Sequence, residues 1–128
     1  MTTKVMIVED EAVSALFLRT MLERRGFEIT ALVDSGEDAM EKAQTDAPDV
    51  VIMDIRLRGE INGIQAADHI YRHTGIESIF ISAYAREELR KRFPLSNSCR
   101  LISKPVEEHA LMAAIADVSA DSAGVISN

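Results

Sequence analysis

The sequence predicts an α/β fold, a doubly wound sheet of five parallel strands covered by five helices. Two observations predict it. Short apolar runs recur along the chain, each ending at a polar residue, as in Val5-Met6-Ile7-Val8 before Glu9-Asp10 and Val50-Val51-Ile52-Met53 before Asp54. Such runs read as strands buried on both faces of a parallel sheet. Between them lie stretches of helical period, and the strict alternation with short connections places helices on both faces.

The first strand is expected over 4–8, and the helix after it over 11–25, with Ala12, Ala15, Leu16, Leu18 and Leu22 on its apolar side. Gly26 is a natural left-handed stop for that helix. A second strand over 28–33 leads to Ser35-Gly36-Glu37-Asp38, a capping residue with acids in the first turn, and to a helix ending before Pro48. A third strand over 49–53 is followed by a helix from Gly63 to His73 that stops at Gly75. The fourth strand covers 77–81, and its helix runs from Tyr84 to Phe93, before Pro94. The fifth strand covers 99–103, and the last helix runs from Val106 to about Ser119. Residues 120–128 are small and polar, and read as a tail or the start of a linker after a domain spanning 1–119.

Composition narrows the function. At 128 residues the chain fits one domain, and 47% apolar residues suit a packed core. A net charge of −7 argues against nucleic-acid binding by this domain. No apolar run approaches the roughly 20 residues of a membrane span. The start Met-Thr-Thr-Lys has no signal-peptide pattern, and the single cysteine, Cys99, permits no internal disulfide. Together these lead to a cytoplasmic expectation. Cys99 reads as a small strand residue rather than a reactive thiol.

The chemistry lies at the strand ends. In an open α/β sheet, ligands bind beyond the carboxyl ends of the strands. With the flavodoxin-like strand order 2-1-3-4-5, strands one and three are neighbours at the switch point. Glu9 and Asp10 would then stand beside Asp54, with Ser82 and Lys104 ending strands four and five. Three crowded carboxylates raise one another's pKa, and a hard divalent cation such as Mg²⁺ relieves them. The plain alternative is that each acid caps the following helix. Asp10 could do so alone, but three acids are poorly explained that way. Asp54 is the candidate nucleophile, since a carboxylate can attack phosphorus to form an acyl phosphate. Lys104 can place a point charge on a phosphoryl oxygen, and a pair near 4 Å at an effective dielectric of about 20 gains roughly 4 kcal/mol before desolvation. The Ser82 hydroxyl and the Ala83 backbone N–H are further donors.

Glu9-Asp10, Asp54, Ser82-Ala83 and Lys104-Pro105 stand in an order and spacing that resembles the receiver domains of two-component response regulators, of the chemotaxis-regulator-like kind. The resemblance covers about residues 3–119. It implies that Asp54 accepts a phosphoryl group from a histidine kinase or histidine phosphotransfer protein. It implies a Mg²⁺ site served directly by Asp10, through water by Glu9, and completed by Asp54 and the Arg56 backbone carbonyl. Ser82, Lys104 and the Ala83 backbone would contact the phosphoryl oxygens, and the bond before Pro105 would be cis. The output surface would be the face of the fourth helix, fifth strand and fifth helix, toward a partner that the sequence does not specify.

The chain departs from that pattern in two places. Leu101 stands where receivers often carry Tyr or Phe as a rotamer switch, so Tyr84 at the start of the fourth helix is the nearest aromatic to take that role. Leu57-Arg58 replaces a common Met-Pro, and the loop from Asp54 to Gly63 is longer and more basic than usual. On the fourth helix, Glu87–Lys91 and Glu88–Arg92 have i,i+4 spacing, which suits either a solvated face or a docking surface. The fifth helix carries a wide apolar stripe of Val106, Ala110, Leu111, Met112, Ala113, Ala114, Ile115 and Val118, suited to a homodimer or domain interface or to a tight groove. The histidines at 69, 73 and 109 read as surface residues.

The leading reading is a phosphorylatable signalling switch rather than an enzyme acting on an outside substrate. One alternative is an aspartyl-phosphate phosphohydrolase, which would place a second acid where Arg56 stands. Another is an interaction module independent of phosphorylation, against which the intact Asp10, Asp54, Ser82 and Lys104 set argues. A flavin-binding flavodoxin would need a phosphate loop where Glu9-Asp10-Glu11 would repel phosphate.

Overall fold

A computed structural model of the chain describes residues 2–93, 95 and 99–126, with 121–126 described by backbone alone. Five strands, β1 (Lys4–Val8), β2 (Glu28–Val33), β3 (Val50–Asp54), β4 (Glu77–Ser82) and β5 (Leu101–Ser103), form one parallel sheet in the order β2-β1-β3-β4-β5. Five helices alternate with them: α1 (Ala12–Arg24), α2 (Gly36–Asp46), α3 (Gly63–Thr74), α4 (Arg86–Arg92) and α5 (Glu108–Ile126).

The sheet divides the apolar residues into two cores. Val5, Ile7, Ile52, Ile79 and Ile81 face Leu18, Leu22, Leu111, Ile115 and Val118 of α1 and α5. Met6, Val8, Val51, Met53 and Phe80 face Ala39, Ala43, Ala66, Ile70 and Leu89 of α2, α3 and α4. Residues that alternate in the strands therefore face opposite helical layers, which is why Val5 to Val8 of β1 and Val50 to Met53 of β3 are apolar without a break. The wide stripe on α5 is largely spent on the first core, where Leu111, Ile115 and Val118 are buried and Ala110, Met112 and Ala114 pack at its margin.

Local chemistry sets the helix ends. The Ser35 hydroxyl accepts from Asp38 N at 3.1 Å, capping α2. Asn62 and Gln65 form a reciprocal capping box at the start of α3, both bonds 2.9 Å, and Gly75 at φ 77 ends that helix.

Several boundaries differ from expectation for identifiable reasons. The first helix buries Ala15, Leu18, Met21 and Leu22, while Leu16 is 60% exposed, because it lies about 100° around the helix from Ala15. Strand β3 includes Asp54, whose register partner is Ile81. Strand β5 omits Cys99, whose carbonyl accepts instead from the Arg86 guanidinium at 3.1 Å. Helix α4 starts after Tyr84, which sits in the turn with its N–H on the Ser82 hydroxyl. The Pro94 stop lies outside the described residues. Helix α5 continues past Ser119 to Ile126, since no proline interrupts it and the single Gly124 costs only about 1 kcal/mol. The expected tail over 120–128 is therefore helical as far as 126, and 127–128 lie outside the described residues.

Candidate functional site

Strand register assembles the site. Val8 pairs with Met53, so Glu9 leaves β1 beside Asp54 at the end of β3. Ser82 pairs with Ser103, and Lys104 N donates to the Ser82 carbonyl at 2.8 Å, which carries Lys104 over the same edge. The Lys104–Pro105 peptide is cis. Glu9 N donates to the Val33 carbonyl at 2.9 Å, extending the ladder one residue beyond the strand and fixing where that carboxylate emerges.

Among the described residues, Glu9, Asp10 and Asp54 each bring a carboxylate oxygen within 4.8 Å of the others. Glu9 and Asp54 are buried, at 3% and 5% exposure, while Asp10 lies at the rim. Lys104 Nζ bridges the two buried acids, at 2.6 Å from Glu9 Oε1 and 2.9 Å from Asp54 Oδ2. The other Asp54 oxygen accepts from Arg56 N at 3.0 Å. Burial pushes the Glu9 carboxyl above its usual 4.5, and Asp54 adds to the rise while Lys104 and the Glu11 amide oppose it. Burial by itself would lower the Lys104 pKa, but its bonds to Glu9 and Asp54 outweigh this and hold it above 10.5. The crowded acids are thus partly neutralised by the chain's own ammonium. The donor set of closely spaced carboxylate oxygens open to solvent on the Asp10 side suits a hard divalent cation.

The two remaining elements close the site. Ser82 is 1% exposed, with its hydroxyl accepting from Tyr84 N at 3.0 Å, and Ala83 is the exposed residue between them. Two cations lie over the Tyr84 ring, with the Arg56 guanidinium carbon 4.9 Å and that of Arg92 5.6 Å from its centroid. Arg56 Nη1 also donates to the Tyr84 hydroxyl. Leu101 pairs with Phe80 and packs against the second core, as Tyr84 does.

Sequence reasoning missed three features. It did not foresee that Lys104 would rest on Glu9 as well as Asp54. It did not place the Arg58 guanidinium 3.7 Å from Asp10 Oδ2. Nor did it single out Gly63, where an added Cβ would stand 2.0 Å from the Asp54 carbonyl oxygen. The glycine after Asn62 was a visible signal; the two cation contacts depend on loop paths that no local pattern encodes. Of the i,i+4 pairs expected on α4, Glu88–Arg92 is formed at 3.3 Å.

A family model for the response regulator receiver domain matches residues 5–116. The chain is 31% identical over 112 residues to the transcriptional regulatory protein PdtaR of Mycobacterium tuberculosis, an alignment covering 88% of this chain and 54% of that one. It is 33% identical over 111 residues to the polar-differentiation response regulator DivK of Brucella ovis, covering 83% and 87%. The chain thus spans about half the length of PdtaR but most of DivK. In three dimensions it is similar to the signal receiver domain of a modulated diguanylate cyclase from Desulfovibrio desulfuricans G20, with a TM-score of 0.83, 30% identity, and 92% and 94% of the two chains covered. It is also similar to the response regulator PhyR of Brucella abortus, with a TM-score of 0.84, 26% identity, and 99% and 52% covered. Among the described residues, no helix is long and apolar enough to cross a membrane.

Proposed function

The chain belongs to the response regulator receiver domain family of two-component signalling, and we propose that it is a Mg²⁺-dependent phosphoacceptor switch of the cytoplasm with Asp54 as the acceptor. The observation that carries this reading is the setting of Asp54. It is a buried carboxylate with Lys104 on one oxygen and a backbone N–H on the other, beside two further acids.

In the proposed reaction an Asp54 oxygen attacks the phosphorus of a phosphohistidine on a kinase or phosphotransfer protein. The new O–P bond forms as the P–N bond breaks, and its electron pair returns to the imidazole. Glu9, Asp10, Asp54 and the Arg56 carbonyl would hold Mg²⁺, which neutralises phosphoryl charge when bound. Lys104 moves its ammonium from the bare carboxylates to a phosphoryl oxygen, and the Ser82 hydroxyl and Ala83 N–H donate to others. Arg56 stands where a phosphohydrolase would need a second acid, which supports a switch rather than turnover of an outside substrate.

The output runs through Tyr84. The Ser82 hydroxyl accepts from the Tyr84 N–H, so a movement of Ser82 toward the phosphoryl group would pull on that turn and disturb the contacts of Tyr84 with Arg56 and Arg92 and the start of α4. The face of α4, β5 and α5 then presents a changed surface to its partner. Leu101 has no hydroxyl or flat ring to report this movement. Beryllofluoride, which mimics a phosphoryl group on a carboxylate, tests the reading by NMR. It should bind only with Mg²⁺ and an intact Asp54, and the largest shifts outside the cation site should fall on residues 82–92. Strong shifts at Leu101 with Tyr84 and α4 unmoved would refute the route.

A further inference from the structure

We propose that Arg58 is a built-in counter-cation of Asp10 that competes with the divalent ion and so sets the affinity of the site. The inference rests on the reading that Glu9, Asp10 and Asp54 hold Mg²⁺.

Three observations place Arg58 there. Its Nε lies 3.7 Å from Asp10 Oδ2, an ion pair rather than a hydrogen bond. Its backbone is held by a parallel bridge to Ser35, the residue that caps α2. The loop beyond it is pressed onto the same helix end, because Gly36 leaves so little room that a Cβ there would meet Ile61 Cγ2 at 2.9 Å. The long basic loop is therefore anchored on α2, and the anchor aims one guanidinium at the rim acid of the cluster.

The division of cations follows from this. Lys104 neutralises the two buried acids, Glu9 and Asp54. Arg58 neutralises the third, Asp10, from the solvent side. The Arg56 guanidinium is engaged with Tyr84 instead. The Arg58 side chain is 84% exposed and that of Asp10 20%, so the pair is weak and easily opened. A divalent ion that takes Asp10 must displace Arg58, and a competitor of this strength lowers apparent affinity by a small factor without blocking the site.

Isothermal titration with MgCl₂ at low ionic strength tests the proposal on the wild-type chain, Arg58→Gln and Arg58→Lys. An exposed ion pair contributes about 0.2–1 kcal/mol. Arg58→Gln should therefore tighten Mg²⁺ by about 1.4- to fivefold, and the gain should shrink in high salt. Arg58→Lys keeps the charge and should stay close to wild type. In the wild-type chain the Arg58 Nε–H resonance should move on adding Mg²⁺, and it should stay still in Asp10→Asn. Unchanged affinity in Arg58→Gln, or equal tightening by Gln and Lys, would overturn the proposal while leaving the cation site intact. No Mg²⁺ isotherm in any of the three chains would overturn the cation site and this inference together.

Discussion

Gly63→Ala tests whether the backbone under Asp54 leaves any slack. Gly63 opens α3, and its N–H donates to the Ile55 carbonyl at 2.8 Å. A Cβ at this position would stand 2.0 Å from the Asp54 carbonyl oxygen, 2.8 Å from its carbon and 2.9 Å from Ile55 Cα. All three are backbone atoms, so no side-chain rotation relieves the contact. The strand end and the helix start must separate by roughly 1 Å or more to restore van der Waals distance. Overpacking of this kind costs about 1–3 kcal/mol, and a rigid backbone neighbour places it at the upper end. Better helix propensity of alanine returns at most about 1 kcal/mol. The net loss is about 2 kcal/mol, which for a domain of this size lowers Tm by roughly 6–12 °C. The displacement acts directly on Asp54, so Mg²⁺ affinity should fall as well. Gly26→Ala is the matched control. Its φ of +88 strains any side chain, but nothing lies within 4 Å, so it should cost about 1–2 kcal/mol and leave Mg²⁺ affinity alone. Urea denaturation and Mg²⁺ titration of both variants decide the matter. Wild-type stability and affinity in Gly63→Ala, or an equal loss of affinity in Gly26→Ala, would refute the reasoning.

Two further predictions concern the acids. Asp10→Ala should weaken Mg²⁺ binding far more than Glu9→Ala, because Asp10 faces solvent at the rim while Glu9 is engaged by Lys104; a titration in which Glu9 is the costlier loss would reverse their roles. In EDTA, the raised pKa of Glu9 means that the folded chain binds its proton more firmly than the unfolded chain, whose value is near 4.5. That contribution to stability is complete below about pH 4.5 and is lost as pH rises through the folded value. Wild type should therefore lose stability relative to Glu9→Gln as pH climbs from 4.5 toward neutrality, and parallel pH profiles in urea denaturation would contradict it.

Much of the fold was legible because strand ends and chemistry coincide. Apolar runs stopping at Glu9, Asp54, Ser82 and Lys104 marked both the secondary structure and the site edge, and parallel pairing then left those residues together. Boundaries were least legible where a long-range contact competes with a local pattern. Cys99 reads as strand until the Arg86 guanidinium takes its carbonyl. Leu16 reads as core until the helix is seen to bury the face of Ala15, Leu18 and Leu22 instead. Helix α5 outruns its apolar stripe as far as Ile126, with no proline after Val106 to stop it. In the site, the identity of the acids was legible, but their neutralisation was not. Lys104 on Glu9 spans 95 positions, and Arg58 on Asp10 depends on how the loop lies across α2. Leu101 and Tyr84 were distinguishable by residue type alone, yet the cations over Tyr84 required the folded positions of Arg56 and Arg92.

The central claim is that Asp54 accepts a phosphoryl group in a cation-dependent step, and intact-mass spectrometry tests it most directly. The wild-type chain is incubated with acetyl phosphate and MgCl₂, alongside Asp54→Asn and a sample in EDTA. A single added phosphoryl mass in the wild type, absent from the other two, is the predicted result. An undiminished adduct on Asp54→Asn, or one formed equally in EDTA, would contradict it.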